Sequence, residues 1–218
     1  MSSSNKTSHL ALNQWQRTDP VVMDDFNADN AKVDAAIGGM KMPVVKLLEV
    51  VTSAAAAAVE LDLSGIDLTQ YRALEVCSQA VSDVVKTNAY AYDYLYMRIN
   101  NDSGSNSYYA SSNQSYLAMF PLPNVVNASF PPAAMSITKM YWTTFSGSNN
   151  ALFGYSDGGY LPSADGAQGV VNSRLNCCYN KFQSISNFRT VNFAAAPRDS
   201  GTYLISVGSK FVVYGYLT

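Results

Sequence analysis

Histidine and charged residues are scarce in this chain. The only histidine, His9, lies in a polar N-terminal stretch, so a metal site built on two histidines is excluded and a catalytic triad would need a base from a chain end. Charged residues make up 14% of the 218 residues, against about a quarter in an ordinary soluble domain. Lysine and arginine are scattered and the net charge is −2, so no nucleic-acid partner is expected.

Cysteine and long apolar runs are also scarce. Three cysteines, Cys77, Cys177 and Cys178, give neither a disulfide framework nor the C-x-x-C spacing of zinc sites, and we interpret them as small buried hydrophobes. No apolar run is long enough to span a bilayer, so membrane insertion is not expected. The start, MSSSNKTSHL, lacks the apolar core of a secretion signal. No phosphate-binding glycine loop occurs, and we expect no cofactor and no metal.

Residues 1–43 predict a small N-terminal segment with a helix over about 20–37. Asp19 is a suitable cap, and Pro20 suits the first helical position because its missing N–H has no partner there; the glycines at 38–39 end the helix. The apolar side chains fall on one face: Val22, Phe26, Val33 and Ile37. A helix with so narrow an apolar stripe is only marginally stable alone. We therefore expect it to pack on the rest of the chain, on symmetry copies or on another protein.

After Pro43 the pattern changes to many short strands separated by turn clusters, without helical periodicity. An alanine run, 54–58, favours helix on propensity but is too closely flanked by strand patterns to form one. Short antiparallel strands at even spacing predict a mainly β head over 44–218, a jelly-roll-like antiparallel β-sandwich. The predicted strands are Val44–Thr52, Val59–Leu63, Arg72–Gln79, Tyr90–Asn100, Tyr116–Phe120, Ser136–Thr144, Ala151–Tyr155, Val170–Tyr179, Ser184–Phe193 and Thr202–Leu217.

Fifteen tyrosines are the most suggestive side chains. Within one predicted strand, Leu95, Met97 and Ile99 form the better core set, so the alternating residues should face outward: Tyr92, Tyr94, Tyr96 and Arg98. Such a row can bind sugar rings, form a subunit interface, or simply cover a sheet. Tyr108 and Tyr109 lie in a following loop rich in Ser, Gly and Asn, a composition typical of adaptable recognition loops and of ordinary solvated loops alike.

Candidate catalytic carboxylates are few. Glu60 and Asp62 share one strand face, while Asp157 and Asp165 lie in glycine-rich segments predicted as turns, and neither pair favours the two-carboxylate arrangement of a glycosidase. Asp102, in NDSGSN, fits an Asx-type turn better than a calcium loop, since one carboxylate among neutral side chains is a weak site. We therefore predict no catalytic residues.

Residues 10–37 resemble the N-terminal segment of many phage and prophage tail-associated proteins. The resemblance is carried by the LNQW motif ending at Trp15, the Asp19-Pro20 start, Phe26-Asn27 and the run Asp29–Lys32. Such segments usually attach a protein to a virion. The resemblance implies that the helix and its surroundings are the attachment site: Trp15, Asp19, Pro20, Phe26, Val33 and Ile37.

Residues 44–218 are similar to a β-sandwich domain common in phage structural proteins. The shared motifs are a Y-R-x-L strand at Tyr71–Leu74, a strand and loop over Leu95–Asn106, and a terminal G-S-x-F strand at Gly208–Phe211 followed by Tyr214-Gly215. That family is structural and concerned with recognition, with no established chemistry. The segment 107–184 gives no alignment.

The two resemblances together imply a virion protein of the tail, baseplate or short fibre. The expected partners are other virion proteins, copies of the chain in a homotrimer, and a host cell-surface glycan. Alternatives from the same residues are a capsid decoration or purely architectural virion protein and, less favoured, a polysaccharide depolymerase.

Overall fold

The structure of the protein is a computed structural model. It describes residues 5–39, 43–83, 92–109, 113–114, 116–123, 134–143, 150–160, 171–196 and 204–217. Contacts within the chain divide it into two compact units, Met1–Pro43 and Val44–Thr218.

The N-terminal unit pairs two short strands, β1 (Asn5–Lys6) and β2 (Asn13–Gln14), and continues into one helix, α1 (Met23–Gly38). The helix starts three residues later than the sequence predicted. Asp19 does not cap it, because its Oδ2 accepts the backbone N–H of Gln16 at 2.9 Å in a turn ahead of the helix. Val22 takes the N-cap position in an extended conformation with no side-chain hydrogen bond, and Pro20 therefore lies outside the helix.

The described residues of the head form twelve strands in two sheets. Their bounds are β3 (Val44–Val51), β4 (Ala58–Asp62), β5 (Tyr71–Gln79), β6 (Tyr92–Ile99), β7 (Tyr108–Tyr109), β8 (Asn113–Gln114), β9 (Ala118–Pro123), β10 (Ala134–Thr143), β11 (Ala151–Tyr160), β12 (Val171–Tyr179), β13 (Thr190–Ala196) and β14 (Lys210–Leu217). All pairs of neighbouring strands in the described part of the head are antiparallel.

The strand order is that of a jelly roll. The larger sheet runs β3-β14-β5-β10-β11-β12-β7-β8 and the smaller one runs β4-β13-β6-β9. Successive strands lie in opposite sheets at four places: β3 and β4, β5 and β6, β9 and β10, and β13 and β14. This alternation generates two sets of four strands, the smaller sheet and the β3-β14-β5-β10 part of the larger one. The hairpin β11–β12 and the short strands β7 and β8 extend the larger layer beyond β10. The predicted mainly β sandwich is confirmed.

The core lies between the two sheets because alternate side chains of both point inward. Leu61, Met97 and Phe193 come from the smaller sheet, and Leu74 and Phe211 from the larger; all are at most 1% exposed. The Phe193 and Phe211 rings approach to 4.7 Å between centroids. Each such buried side chain contributes about 1.5–3 kcal/mol relative to an exposed one.

Several strand boundaries differ from the sequence prediction. The strand β11 continues to Tyr160, so Asp157 lies in a strand and not in a turn. The segment predicted to begin at Ser184 first forms a 3-10 turn at Ile185–Asn187. The last predicted strand is interrupted at Gly208, whose φ of 82° is the left-handed region that glycine favours. The alanine run forms no helix, as predicted.

The three cysteines are free thiols. Cys177 points into the core and Cys178 lies on the opposite face of β12, as their adjacency predicted. Burial is the main cause that raises the pKa of both Cys77 and Cys177 to about 11, which keeps these thiols protonated and unreactive at neutral pH.

Among the described helices none has the length and apolar character needed to cross a membrane.

Candidate functional site

The strand β6 presents the predicted tyrosine face. Leu95, Met97 and Ile99 are buried, whereas Tyr94, Tyr96 and Arg98 alternate with them on the outer face and are partly exposed. The predicted alternation is therefore confirmed for these side chains. The side chain of Tyr92 lies outside the described part of the structure.

Three tyrosines form a stack on this face, which we call the tyrosine ladder: Tyr94, Tyr96 and Tyr116. The Tyr94 and Tyr96 rings lie 6.1 Å apart between centroids with an interplanar angle of 6°. Tyr96 and Tyr116 are closer, at 4.5 Å and 1°. The Arg98 guanidinium carbon lies 5.9 Å from the Tyr96 ring centroid. Parallel aromatic contacts of this kind hold the rings in a fixed arrangement.

Small residues flank the ladder on the neighbouring strand. Ala194 is paired with Tyr96, and Ala196 with Tyr94. Because an alanine side chain rises little above the sheet, β13 places only small side chains beside these two tyrosines. We call Ala194 and Ala196 the alanine shelf.

The ladder offers hydroxyl groups and ring edges more than free ring faces. One face of Tyr96 is covered by Tyr116, so that face is not available to a sugar C–H surface. Burial is the main cause that raises the pKa of Tyr96 and of Tyr116. Both hydroxyls therefore stay protonated at neutral pH, where each donates one hydrogen bond and accepts others.

Tyr108 does not belong to the surface, so its prediction as part of a glycan or interface face is wrong. It is 0% exposed, its hydroxyl accepts the Ile99 N–H at 2.9 Å and it donates to the Asp102 carbonyl at 3.0 Å. A tyrosine that satisfies its hydroxyl on backbone groups is stable in a core. Its neighbour Tyr109 is 50% exposed, because alternation along β7 turns it to the other side.

The loop after β6 is organised by Asp102. Its Oδ1 accepts the Gly104 N–H and the Ser107 hydroxyl, each at 2.9 Å. Its Oδ2 accepts the Tyr179 hydroxyl at 3.2 Å and lies 3.4 Å from the Lys181 ammonium. The protein itself thus supplies donors to both carboxylate oxygens, and the predicted Asx turn is confirmed. In the described part of the chain no three His, Cys, Asp or Glu side chains cluster as metal ligands would.

The remaining carboxylates of interest are held by protein groups. Glu60 accepts the Asn192 amide at 2.8 Å, and Asp62 accepts the Ser64 N–H at 2.9 Å. Asp157 pairs with Arg174 at 2.9 Å across β11 and β12. Asp165 lies outside the described residues.

In the N-terminal unit, polar contacts tie the LNQW segment to the helix. Asp29 Oδ2 accepts the backbone N–H of Asn13 at 2.7 Å and its side-chain amide at 2.8 Å, and the Lys32 ammonium donates to the Ala11 carbonyl at 2.8 Å. These contacts account for the joint presence of the LNQW motif and the Asp29–Lys32 run.

The candidate attachment residues of this unit differ in exposure. Phe26 is 53% and Ile37 is 61% exposed, whereas Trp15, Val33 and Asp19 are partly buried and Pro20 is exposed. The helix therefore carries large apolar side chains that its own unit leaves uncovered.

Sequence reasoning missed a second aromatic surface, on the outer face of the larger sheet. Its residues are aligned across the strands in register: Tyr216 beside Ala73, Ala73 beside Tyr141, Tyr141 beside Phe153, then Cys178 and Tyr109. We call Tyr216, Tyr141, Phe153 and Tyr109 the aromatic row. Tyr141 and Phe153 are 49% and 47% exposed.

The reason for the omission lies in β10. Ser136 and Thr138 are buried together with Met140, while Met135 is 55% exposed on the outer side, so both faces of this strand mix polar and apolar residues. Ser136 shares a hydrogen bond with Ser78 on the neighbouring strand, which satisfies both hydroxyls. Hydrophobicity alone therefore does not distinguish the two faces. Only the register of strand pairing would reveal the aromatic row. Tyr141 and Phe153 are seen to be neighbours once the pairing of β10 with β11 is known.

Fold and surfaces define the class of the head as a jelly-roll sandwich with two aromatic outer faces. Comparison of the chain with models of protein families, with curated proteins and with solved structures finds no match.

Proposed function

We propose that this chain is a phage virion protein of the tail, baseplate or short fibre, whose head binds a host cell-surface glycan without catalysis. The N-terminal unit attaches the chain to other virion proteins and to copies of itself in a homotrimer. The resemblance of residues 10–37 and 44–218 to phage structural proteins supports the virion assignment. The uncovered apolar side chains Phe26 and Ile37 support the attachment role.

The observation that carries the glycan-binding role is the tyrosine ladder beside its alanine shelf. Rigid tyrosine side chains supply contact area and hydroxyl groups at low entropic cost, which suits a ligand covered with hydroxyls. The Arg98 guanidinium lies beside the central ring, 5.9 Å from the Tyr96 centroid. Among the described side chains of the ladder no nucleophile is paired with a general base, which supports binding over turnover.

Replacement of the central ring tests the proposal. Tyr96→Ala removes both stacking contacts, and truncation of a central aromatic in an interface typically costs about 2 kcal/mol or more. We expect adsorption of the purified, fluorescently labelled protein to host cells to weaken more than about tenfold. Tyr155→Ala is the matched control, since Tyr155 is 43% exposed on the other sheet.

Two outcomes would contradict the proposal. Adsorption unchanged by Tyr96→Ala would remove the ladder from recognition, and release of sugar from host polysaccharide by the purified protein would establish a depolymerase. Antibody labelling of particles from a host carrying the gene tests the virion assignment, and a protein absent from particles would refute it.

A purely architectural role is the second candidate. It is favoured by two uncovered aromatic side chains that are paired across β10 and β11, Tyr141 at 49% and Phe153 at 47% exposure, since contiguous exposed apolar surface is typical of interaction sites. In that case Tyr96→Ala or Phe153→Ser would abolish the oligomer or its incorporation into particles.

A further inference from the structure

A cavity of about 310 Å³ lies at the outer face of the larger sheet. Its lining includes Arg72, Ala73, Lys139, Tyr141 and Tyr216. This volume is at the lower end of the range of about 300–1,000 Å³ found for small-molecule sites. The cavity therefore suits one ring-sized ligand and is too small for an extended oligomer.

Two aromatic residues flank a small one in this cavity. Ala73 on the central strand β5 is paired with Tyr216 on one side and with Tyr141 on the other. Because neighbouring strands lie about 4.8 Å apart, the two tyrosines start about 10 Å apart across the alanine. Tyr141 is 49% exposed, so its ring area is available to a ligand in the cavity.

A β-bulge brings Arg72 to the same cavity. Tyr216 is paired with Ala73, but the next residue, Leu217, is paired with Tyr71, so Arg72 is an extra residue on β5. Regular alternation would direct Arg72 to the face opposite Ala73. A bulge re-aims the side chain of the extra residue, and Arg72 accordingly lines the cavity beside Ala73.

The charges of the cavity leave Arg72 uncompensated. Glu75 accepts the Tyr216 hydroxyl at 2.7 Å and pairs with the Lys139 ammonium at 3.3 Å. The hydrogen bond to Glu75 is the main cause that raises the pKa of Tyr216 and also of Lys139. Glu75 thus fixes the Tyr216 ring and neutralises Lys139. No ion pair of Arg72 occurs with a carboxylate in the described ranges.

We propose that this cavity binds a pyranose that carries a carboxylate, a sugar acid of the hexuronic class, with its ring between Tyr141 and Tyr216 and its carboxylate on Arg72. An aromatic ring and the C–H face of a pyranose are complementary apolar surfaces. A guanidinium matches a carboxylate with two parallel hydrogen bonds. The inference rests on the proposed glycan-binding function for its biological role and assigns a sugar class and a second site to it.

The test compares two ligands that differ only in charge. Glucuronic acid and glucuronamide share one ring, and their binding to the full chain is followed by saturation-transfer difference NMR at physiological salt. We expect the acid to bind at least tenfold more tightly than the amide. Arg72→Gln should abolish this preference, and Arg72→Lys should restore part of it, because lysine keeps the charge without the paired geometry.

Two further variants complete the test. Tyr141→Ala should weaken both ligands, since it removes a wall and not the charge. Arg174→Gln is the matched control, because Arg174 is an exposed arginine on the same sheet face that pairs with Asp157, and it should bind both ligands as the unmodified chain does. The proposal is overturned if acid and amide bind equally, or if Arg72→Gln keeps the preference for the acid.

These results separate the cavity from the ladder. If Arg72→Gln leaves the preference intact while Tyr96→Ala abolishes adsorption to cells, the cavity inference fails and the proposed function stands. If the acid binds through Arg72 but neither variant affects adsorption, the proposed function fails and the cavity remains a sugar-acid site.

Discussion

At the scale of single residues, Gly215 shows how closely the head is packed. A Cβ atom at this position would lie 2.5 Å from the Tyr71 ring and 2.9 Å from a Leu47 methyl group. Both neighbours lie at bulges of the larger sheet, where one strand contributes an extra residue. Glycine is required at position 215 because the Tyr71 and Leu47 side chains occupy the space of a Cβ atom, and not because of its backbone angles.

Gly215→Ala should therefore destabilise the protein. Overpacking of this kind typically costs about 1–3 kcal/mol, which urea unfolding of the full chain will show as a lower midpoint. Gly65→Ala is the control, because a Cβ at Gly65 meets nothing within 4 Å. Equal midpoints for the two variants would mean that the Tyr71 ring moves aside without cost.

Asp102 makes stability depend on pH in a definite direction. Burial, the largest single influence, raises its pKa, but the hydrogen bonds from Gly104, Ser107, Tyr179 and Lys181 together bring it below the usual 3.8. A carboxylate with a lowered pKa in the folded state stabilises the fold above the unfolded pKa. That contribution is lost as the pH falls through the lower, folded value.

The comparison with Asp102→Asn measures this contribution. At pH 7 the unmodified protein should exceed the variant by about 1.5 kcal/mol in free energy of unfolding, since hydrogen bonds to a charged group are being weakened. The difference should shrink as the pH is lowered below 4 in a series of urea titrations. If the difference in free energy of unfolding does not change with pH, Asp102→Asn acts through side-chain packing and not through the charge of the carboxylate.

At the scale of elements, the sequence predicts best where polarity and burial agree. The sequence predicts the correct core face of β6 because Leu95, Met97 and Ile99 are clearly more apolar than the residues that alternate with them. In β10 the rule fails, since Ser136 and Thr138 are buried and the serine is satisfied by Ser78 across the strand pair. Such a hydrogen bond depends on a partner 58 residues away, which no local pattern contains.

Candidate site residues follow the same division. The sequence predicts Tyr94, Tyr96 and Arg98 correctly because they alternate with a strong core set. The prediction for Tyr108 is wrong because a loop-like composition gives no information on its buried hydroxyl partners, Ile99 and Asp102. The sequence predicts Arg72 only as part of a strand, since a bulge is visible only in the pairing of strands.

The helix α1 is the element on which assembly should depend. Phe26→Ser combined with Ile37→Ser removes two of the three large uncovered apolar side chains of this helix, the third being Met23. We expect light scattering coupled to size exclusion to show a shift from trimer toward monomer. Val207→Ser is the control, since Val207 is 59% exposed on the head and the oligomer should survive it. A trimer in the double variant would place assembly in the head.

At the scale of the whole molecule, the sequence is sufficient for the class of fold because many short strands without helical period leave few alternatives. It is insufficient for the extension of the larger sheet by β11, β12, β7 and β8, which decides where the aromatic row lies. Among the described residues one sheet has eight strands and the other has four. This difference follows from which strands pair with each other, and the local sequence pattern does not contain that information.

The place of β14 has a consequence for the order of events during synthesis. This strand covers Lys210–Leu217, yet it lies between β3 and β5, and its neighbour β3 starts at Val44. Until β14 has been synthesised and has left the ribosome, β3 and β5 have an unfilled gap between them, and the nascent head cannot close. Contacts so distant in sequence also slow folding to the range of about milliseconds to seconds. During this period the edges of β3 and β5 that will pair with β14 are unpaired. Unpaired strand edges of this kind are surfaces that molecular chaperones bind.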